Sequence, residues 1–362
     1  MMGESEVRER MTGRFDLADL RPYRAPQIEA PVRLNTNESP YEPPPTFMDD
    51  LVNRIRAISL NRYPPRDFPE LREDLAAHAG TLTDRVWLGN GSNEILLQLL
   101  LSFGGPERRA MTFEPTYMLH SHITRVSATR LVRARRNPDF TLHMEASVEA
   151  IRAQRPDIVF ICSPNNPTGG ANTLEEVAAF CVAAPGLVIV DEAYAEFAGE
   201  SCARLIEEYD HLACVRTFSK AWRLAGARLG YLIAQPWIIE ELMKVRLPYH
   251  LSSLTQAAGL AALAHARELT ATVETIRHER DRLWEELSTL RGIRAFPSRA
   301  NFILFRCEAR PAREVWQGLL DRGVLIRDFS DLPGCEGCLR VSVGTQEQDE
   351  RFLDALHESL RE

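Results

Sequence analysis

Short apolar runs alternate with longer amphipathic stretches along the chain from about residue 45 to residue 250. The apolar runs are RVWLG, DIVFICS, LVIVDEA, ACVRTFS and RLGYLIA, and the stretches between them include NEILLQLLLSF and TLEEVAAFCVAA. A strand that is buried on both faces reads as a continuous apolar run, and a helix usually connects it to its parallel neighbour. The pattern therefore predicts an α/β fold in which a mainly parallel sheet is sandwiched by helices.

One helix start can be placed by its capping residues. Thr173 is followed three residues later by Glu176, and Val177, Phe180 and Cys181 then form an apolar face. This spacing is that of a capping box, in which each of the two side chains accepts a hydrogen bond from the other residue's backbone N–H. We therefore predict a helix that begins at this point and carries the chain from one strand to the next.

The two ends of the chain differ from this central region. The first forty residues are irregular and proline-rich, which predicts an extended arm. Beyond residue 250, LSSLTQAAGLAALAHARELTATVETIRHERDRLWEEL predicts one or two long helices, and NFILFRC, GVLIRD and CLRVSVG predict strands of a second sheet. We expect an arm over residues 1–40, a large domain over 41–255 and a smaller α+β domain over 256–362.

Composition narrows the range of functions. Of the 362 residues, 44% are hydrophobic and 26% are charged, which is ordinary for a folded enzyme. The net charge of −8 argues against nucleic acid or an anionic membrane as partner, because both select basic surfaces. The N-terminus lacks the apolar segment of a signal peptide, and no apolar stretch approaches the ~18–20 residues of a membrane span. We therefore expect a cytoplasmic protein.

The seven cysteines are an odd and scattered set, which is typical of a reducing compartment. Cys335 and Cys338 form the one close pair, in the motif PGCEGC, and their spacing resembles half of a zinc site. The sequence offers neither a second such pair nor a histidine near them, so we expect no metal.

Ligands of open α/β sheets collect where the strands end. In GNGSNEILLQLL a strand passes through two glycines into a helix beginning near Ser92. The free N–H groups of such a helix end attract a phosphate, although a purely structural glycine turn has the same appearance. Asp191 ends the run LVIVD, and an aspartate there either caps a helix or faces a cationic heterocyclic nitrogen, with Tyr194 close enough to reach the same ligand.

A lysine follows another predicted strand. In CVRTFSKAWRLAGARLGY, Lys220 comes directly after Ser219, and Arg228 lies eight residues beyond the lysine. A buried charged amine is costly, so Lys220 either extends to solvent or is held for imine chemistry. In VFICSPNNPTGG the strand breaks into a turn that presents the amides of Asn165 and Asn166. Each of these features has an ordinary structural explanation when it is taken alone.

In combination the motifs resemble the fold-type I enzymes that depend on pyridoxal 5′-phosphate (PLP), and among them the class I/II aminotransferases. The order is CSPNNPTGG, DEAY, SK and then an arginine eight residues beyond the lysine. The segments LNTNESPYEPP, RYP, GNGSNE, EPTY, ANFILF, LIRD and LRVSVGT extend the similarity over nearly the whole chain, most closely to the histidinol-phosphate aminotransferase family. The resemblance implies PLP as cofactor and a homodimer whose N-terminal arm packs on the small domain or on the partner.

The resemblance also implies roles for individual residues. Lys220 is expected to form an imine with PLP and to act as general acid–base, with Asp191 on the ring nitrogen and Tyr194 at the ring oxygen. The other expected cofactor contacts are Gly91, Ser92, Asn93, Tyr117, Asn166, Thr217, Ser219 and Arg228, with Tyr63 supplied by the neighbouring subunit. The expected substrate contacts are Tyr23, Asn37, Arg327 and Arg340.

The implied reaction transfers the amino group of histidinol phosphate to 2-oxoglutarate in two ping-pong half-reactions. Aminotransferases of aromatic or specialised-pathway amino acids, and decarboxylases or lyases of the same fold, stay open as alternatives. A PLP sensor that binds DNA is disfavoured, because we find no helix-turn-helix extension and the chain is acidic. The segment after EPTY departs from the family pattern. Either His120 and Arg130 alter the pocket, or the five arginines from Arg125 to Arg136 form a solvated face.

Overall fold

The computed structural model of the protein describes residues 13–22 and 27–361. Its strands are β1 (Val32–Arg33), β2 (Val86–Gly89), β3 (Arg109–Glu114), β4 (Arg130–Arg135), β5 (Ile158–Cys162), β6 (Leu187–Asp191), β7 (Leu212–Thr217), β8 (Gly230–Ala234), β9 (Ile293–Ala295), β10 (Phe302–Cys307), β11 (Val324–Leu325), β12 (Arg327–Asp328) and β13 (Cys338–Ser342). Its α-helices are Pro45–Arg56, Pro69–Ala79, Ser92–Phe103, Met118–Val126, Met144–Gln154, Leu174–Ala183, Ala195–Ala198, Pro236–Val245, Ser253–Ala264, Ala266–Thr270, Val273–Thr289, Ala312–Asp321 and Gln346–Arg361. Short 3-10 helices are Phe15–Leu17, Thr83–Arg85, Cys202–Glu207 and Ala225–Ala227.

Seven strands form the central sheet, in the order β2-β8-β7-β6-β5-β3-β4. The pairs β4-β3, β3-β5, β5-β6 and β6-β7 are parallel, whereas β8 runs antiparallel to both of its neighbours, β2 and β7. Every residue of β5 and β6 is buried, as expected for strands covered by helices on both faces. The predicted α/β fold with a mainly parallel sheet is therefore confirmed.

The sequence pattern missed β3 and β4 at one edge of this sheet. β4 carries Arg130, Arg133 and Arg135, all of them exposed, between partly buried apolar residues. Charged side chains are common on an edge strand, where they discourage pairing with other chains. The arginine-rich segment therefore includes a solvated edge strand. This agrees with the interpretation of these arginines as a solvated face.

The predicted crossover between β5 and β6 is also confirmed. The side chain of Thr173 accepts a hydrogen bond from the N–H of Glu176 at 3.2 Å, and Oε2 of Glu176 accepts one from the N–H of Thr173 at 3.0 Å. The helix Leu174–Ala183 begins at this capping box. In the resulting register Cys162 lies beside Asp191, and Asp191 lies beside Val215, so the carboxyl ends of β5, β6 and β7 meet at one edge.

The C-terminal part forms the predicted second sheet, an antiparallel one in the order β12-β13-β10-β9. β1 of the N-terminal arm pairs with β11, so this part of the arm lies against the C-terminal region. Nearer the start of the arm, Arg14 instead donates to the carbonyl oxygen of Val126 at 2.9 Å. The stretch predicted as one or two long helices instead forms three, over 253–264, 266–270 and 273–289. The hydroxyl of Thr270 bonds to the carbonyl of Ala266 at the second break, a competition with the helix backbone that is characteristic of threonine.

Two main hydrophobic cores support the two sheets. The larger surrounds the central sheet and reaches Ile276, whereas the smaller includes Leu283 and Leu287 together with residues of the second sheet. The cores thus meet along the single helix Val273–Thr289. The domain boundaries at residues 40 and 255 stay predictions.

Within the described ranges, none of the helices combines the length and the apolar character needed to cross a membrane. The same residues contain no cluster of three or more histidine, cysteine, aspartate or glutamate side chains suited to a metal ion. All seven cysteines are buried and carry free thiols.

Candidate active site

A cavity opens at the carboxyl ends of the central strands, where the two sheets and the N-terminal arm come together. The predicted site residues that line it are Asn37, Ser92, Asn93, Tyr117, Asn166, Asp191, Tyr194, Thr217, Ser219, Lys220, Arg228, Arg327 and Arg340. They come from distant parts of the chain, because parallel strands bring their carboxyl ends to one edge of the sheet. Thr36 and Phe329 also line the cavity and were not predicted.

One end of the cavity is the turn before the helix Ser92–Phe103. Gly91 caps this helix with a φ of 81°, in the region that favours glycine. A Cβ atom at Gly91 would lie 2.6 Å from Nη2 of Arg228, so the guanidinium would have to shift to make room for a larger residue. Nη1 of Arg228 in turn donates to the hydroxyl of Ser219 at 3.4 Å. The free N–H groups of the helix, this hydroxyl and the guanidinium together form a cradle for a phosphate.

Two contacts orient the carboxylate of Asp191, which lines the cavity. Its Oδ1 accepts a hydrogen bond from the N–H of Ala193 at 3.2 Å, and its Oδ2 lies 3.0 Å from Nε2 of His120. His120 is fully buried and stacks on Phe160 with 4.7 Å between the ring centroids. The sequence singled out His120 only as a departure from the family pattern, and its contact with Asp191 was missed.

The amine of Lys220 points into the cavity, where its Nζ donates to the carbonyl oxygen of Thr36 at 2.8 Å. The alternative in which this side chain extends to solvent is therefore wrong. Burial lowers the pKa of Lys220 to about 8, and the positive charge of Arg340 is the next cause. An amine with this pKa has a neutral fraction near pH 7, and the neutral form can act as nucleophile or base.

The hydroxyl of Tyr194 is the centre of a hydrogen-bond network. It accepts from Nδ2 of Asn37 at 3.0 Å and from Nδ2 of Asn166 at 3.4 Å. The hydroxyl of Ser342 fixes the orientation of Asn37, because it donates to Oδ1 at 3.0 Å and accepts from the backbone N–H at 2.9 Å. Burial raises the pKa of Tyr194. Since both amides donate to it, this protonated hydroxyl can direct its own hydrogen at an acceptor in the cavity.

Two arginines of the second sheet form the remaining wall. Arg327 and Arg340 are cross-strand neighbours on β12 and β13, and both are buried. Their guanidinium groups lie 5.8 Å and 5.1 Å from the ring centroid of Phe329. Arg340 also donates to Oδ1 of Asn166 at 2.6 Å and to the carbonyl oxygen of Asn35 at 2.8 Å. Two neighbouring guanidinium groups suit a ligand that ends in a carboxylate or a phosphate.

Tyr63 is a predicted site residue that lies away from this cavity. Tyr63 is 79% exposed, stacks on Tyr249 with 4.4 Å between the ring centroids, and lines a separate surface groove. Its contribution to the cofactor site of a second subunit stays a prediction. Tyr23 lies outside the described residues.

The charges of the cavity define the ligands it can hold. Among the described lining residues, Asp191 is the one carboxylate, and it faces the cations Lys220, Arg228, Arg327 and Arg340. The cradle and the arginine pair can bind two separate anionic groups in the cavity that also holds a partly neutral amine. The arrangement therefore suits imine chemistry on an anionic substrate.

Comparisons with known proteins agree with this geometry. The family model of aminotransferase class I and II matches residues 29–356. The chain is 49% identical to a histidinol-phosphate aminotransferase of Frankia casuarinae, with 96% of this chain and 90% of that protein covered. It is 45% identical to one of Corynebacterium glutamicum, with 96% of both covered.

Among solved structures, the fold is similar to histidinol-phosphate aminotransferase from Sinorhizobium meliloti in complex with pyridoxal 5′-phosphate. The TM-score is 0.83 at 27% sequence identity, with 92% of each chain covered. The resemblance noted in the sequence motifs is confirmed over nearly the whole chain. This protein belongs to the aminotransferase class I and II family.

Proposed function

We propose that this protein transfers the amino group of histidinol phosphate to 2-oxoglutarate, with PLP as its cofactor. The observation that carries the proposal is the identity of 45% and 49% with histidinol-phosphate aminotransferases over 96% of the chain. This likeness favours histidinol phosphate over aromatic amino acids, and amino transfer over decarboxylation.

The residues of the cavity fit PLP at three points. The cradle of Gly91, Ser219 and Arg228 suits its phosphate, and the tight space above Gly91 keeps the guanidinium against the helix end. Asp191 suits a protonated ring nitrogen, and Lys220 suits the aldehyde carbon. When bound, PLP supplies a carbonyl that accepts the amine and a ring that takes up negative charge.

Asp191 provides a fixed negative charge for the reaction. Its carboxylate is 2% exposed and is held by the N–H of Ala193 and by His120, so it does not need to reorient as charge develops. A close carboxylate in such a dry setting keeps a ring nitrogen protonated at neutral pH.

Lys220 moves the proton of the reaction. With PLP bound, Nζ of Lys220 would take a proton from the α-carbon of the amino substrate and later release it, because its pKa is lowered to about 8. The carbonyl of Thr36, 2.8 Å from Nζ, gives the amine a resting position inside the cavity. Tyr194 holds a hydroxyl proton in place for an oxygen acceptor.

The two half-reactions need two anion sites, because histidinol phosphate ends in a phosphate and glutamate carries carboxylates. We assign the phosphate to Arg327 and the α-carboxylate of glutamate to Arg340. The ring of Phe329 supports both guanidinium groups, and the contacts of Arg340 to Asn35 and Asn166 hold it in one orientation. One cavity thereby serves two substrates of different shape.

We further propose that the protein acts as a homodimer in the cytoplasm. Tyr63 and Tyr249 stack on each other and are exposed, and Leu247, two residues before Tyr249 in the chain, is 72% exposed. Exposed apolar side chains of this kind favour a protein partner. The seven free thiols are typical of a reducing compartment.

Single-turnover spectroscopy tests the substrate assignment. Histidinol phosphate, glutamate, phenylalanine and tyrosine are mixed separately with excess PLP-loaded enzyme, and the change in cofactor absorbance is followed. We expect rapid conversion by histidinol phosphate and glutamate and much slower conversion by the aromatic amino acids. A reaction with phenylalanine or tyrosine in the absence of one with histidinol phosphate would overturn the proposal.

A further inference from the structure

Cys335 and Cys338 close a tight turn at the start of β13. The N–H of Cys338 donates to the carbonyl oxygen of Cys335 at 2.8 Å, and Gly337 occupies the third position of the turn with a φ of 72°. The end residues of a β-turn have α-carbons less than about 7 Å apart, and a disulfide spans about 4.4–6.8 Å between α-carbons. The turn therefore holds the two cysteines at a separation that a disulfide can bridge with little backbone movement.

Each thiol changes the pKa of the other. A hydrogen bond from Cys335 lowers the pKa of Cys338 and raises the pKa of Cys335. The positive charge of Arg306 also favours the thiolate of Cys338. Arg306 is anchored to the same turn, because its Nε donates to the carbonyl oxygen of Glu336 at 3.1 Å and its Nη2 to that of Gly334 at 3.4 Å.

The thiols lie just beneath the protein surface. Both face a small apolar cluster with Phe140, Phe296, Leu304 and Phe329. Gly334 and Glu336, which flank Cys335 in the chain, are exposed. Opening of this one surface turn is therefore enough to bring a small reagent to the sulfur atoms.

We propose that Cys335 and Cys338 are a site of reversible oxidation that exchanges with a small disulfide such as oxidised glutathione. The Cys338 thiolate attacks one sulfur of that disulfide, so a mixed disulfide forms and one thiolate leaves. Cys335 then loses its proton to solvent, its sulfur attacks the sulfur of Cys338, and the second thiolate leaves. The protein loses two thiol hydrogens, and the small disulfide is reduced to two thiols.

The turn is connected to the arginine wall of the cavity. The N–H of Phe329 donates to the carbonyl oxygen of Cys338 at 3.0 Å, and Arg340 follows Cys338 by two residues on β13. A disulfide between Cys335 and Cys338 repacks the apolar cluster that both cysteines share with Phe329, whose ring contacts the guanidinium groups of Arg327 and Arg340. This consequence rests on the proposed function. We expect oxidation to raise KM for histidinol phosphate about fivefold, an effect comparable with the loss of one ordinary hydrogen bond.

The test oxidises the PLP-loaded protein in a series of glutathione redox buffers, quenches with acid, alkylates the remaining thiols and analyses tryptic peptides by mass spectrometry. Both cysteines fall in the peptide of residues 328–340. We expect this peptide to lose both alkylation sites as an internal disulfide, and to regain them after reduction. Cys335→Ser and Cys338→Ser abolish the internal disulfide, whereas Cys181→Ser, in the larger core, behaves like the unchanged protein.

Some outcomes would overturn the proposal. One is that both thiols stay open to alkylation at every redox ratio, which identifies them as packing residues only. Another is a disulfide to Cys307, whose backbone N–H bonds to Gly337 in the same turn. The mass measurement does not depend on the substrate. A disulfide with unchanged KM refutes the connection through Phe329 alone, and failure to turn over histidinol phosphate refutes the proposed function alone.

Discussion

Nε2 of His120 lies 3.0 Å from Oδ2 of Asp191, and both side chains are buried. Since Asp191 has few other partners, the histidine fixes the direction in which the carboxylate meets the cofactor. We predict that His120→Leu lowers kcat/KM about tenfold, a loss of ~1.4 kcal/mol that is ordinary for a buried hydrogen bond to a charged group. His120→Gln retains an amide donor and recovers part of the loss. Equal kcat/KM values of the two variants would show that the hydrogen bond between His120 and Asp191 does not determine the activity.

The lowered pKa of Lys220 makes cofactor capture depend on pH. In PLP-free protein, the rate of imine formation should rise about tenfold per pH unit below pH 8 and level off above it, because only the neutral amine reacts. Stopped-flow absorbance measures the rate. Lys220→Ala should still bind PLP through the phosphate cradle but should form no such imine and should not transaminate. A rate that keeps rising to pH 10 would mean that the pKa of the amine is not lowered.

The same pKa also changes the stability of the PLP-free protein. The folded value of about 8 lies below the ordinary 10.5, so the unfolded chain binds more protons between these two values. Stability therefore rises with pH across this window and is lowest, with respect to this group, below pH 8. Lys220→Met should remove this rise, which urea titrations at pH 7 and pH 10 would measure.

Gly91 is predicted to be essential for binding the cofactor phosphate. A methyl group at this position meets Nη2 of Arg228 at 2.6 Å, and a φ of 81° is itself unfavourable for alanine. Gly91→Ala should weaken PLP binding at least about tenfold, measured by equilibrium titration of PLP-free protein. Gly226→Ala is a matched control two residues before Arg228 in the chain, because an added Cβ there meets nothing within 4 Å. Similar losses in both variants would argue against a specific role for the Gly91 turn.

Arg327 is predicted to bind the phosphate of histidinol phosphate. Arg327→Ala should lower kcat/KM for histidinol phosphate roughly a hundredfold, which corresponds to ~2–3 kcal/mol for a charge-assisted contact. The glutamate half-reaction should change much less, because we assign its α-carboxylate to Arg340. Arg340→Ala should show the reverse preference. Half-reaction kinetics for each substrate measure both variants, and equal losses in both half-reactions would refute this division of roles.

Tyr63 is predicted to complete the cofactor site of a second subunit. It is 79% exposed in the single chain, yet it lies in the RYP motif of the family pattern. We expect a dimer in sedimentation velocity, and Tyr63→Phe should weaken PLP binding without changing the dimer. A fully active monomer at working concentration would contradict the role of Tyr63.

Much of the site could be predicted from short segments of sequence. Asp191 ends an apolar run and Lys220 follows another, so their places at strand ends depend on local pattern alone. The helix start at Ser92 and the capping box at Thr173 are likewise local, since the partners are no more than a few residues apart. The strand β4 was missed because its arginines are spaced like a charged surface, and only its pairing with β3 identifies it as an edge strand.

The sequence alone therefore predicted the residues to which we assign the chemistry, and it determined the strand ends at which Asp191 and Lys220 stand. The tertiary structure decided which of them meet, as in the contacts of His120 with Asp191, of Lys220 with the backbone of Thr36, and of Phe329 with both arginines. His120 and Asp191 are 71 positions apart, and Lys220 and Thr36 are 184 apart. No local pattern encodes such pairs, because their separation is set by the packing of the whole sheet and its helices.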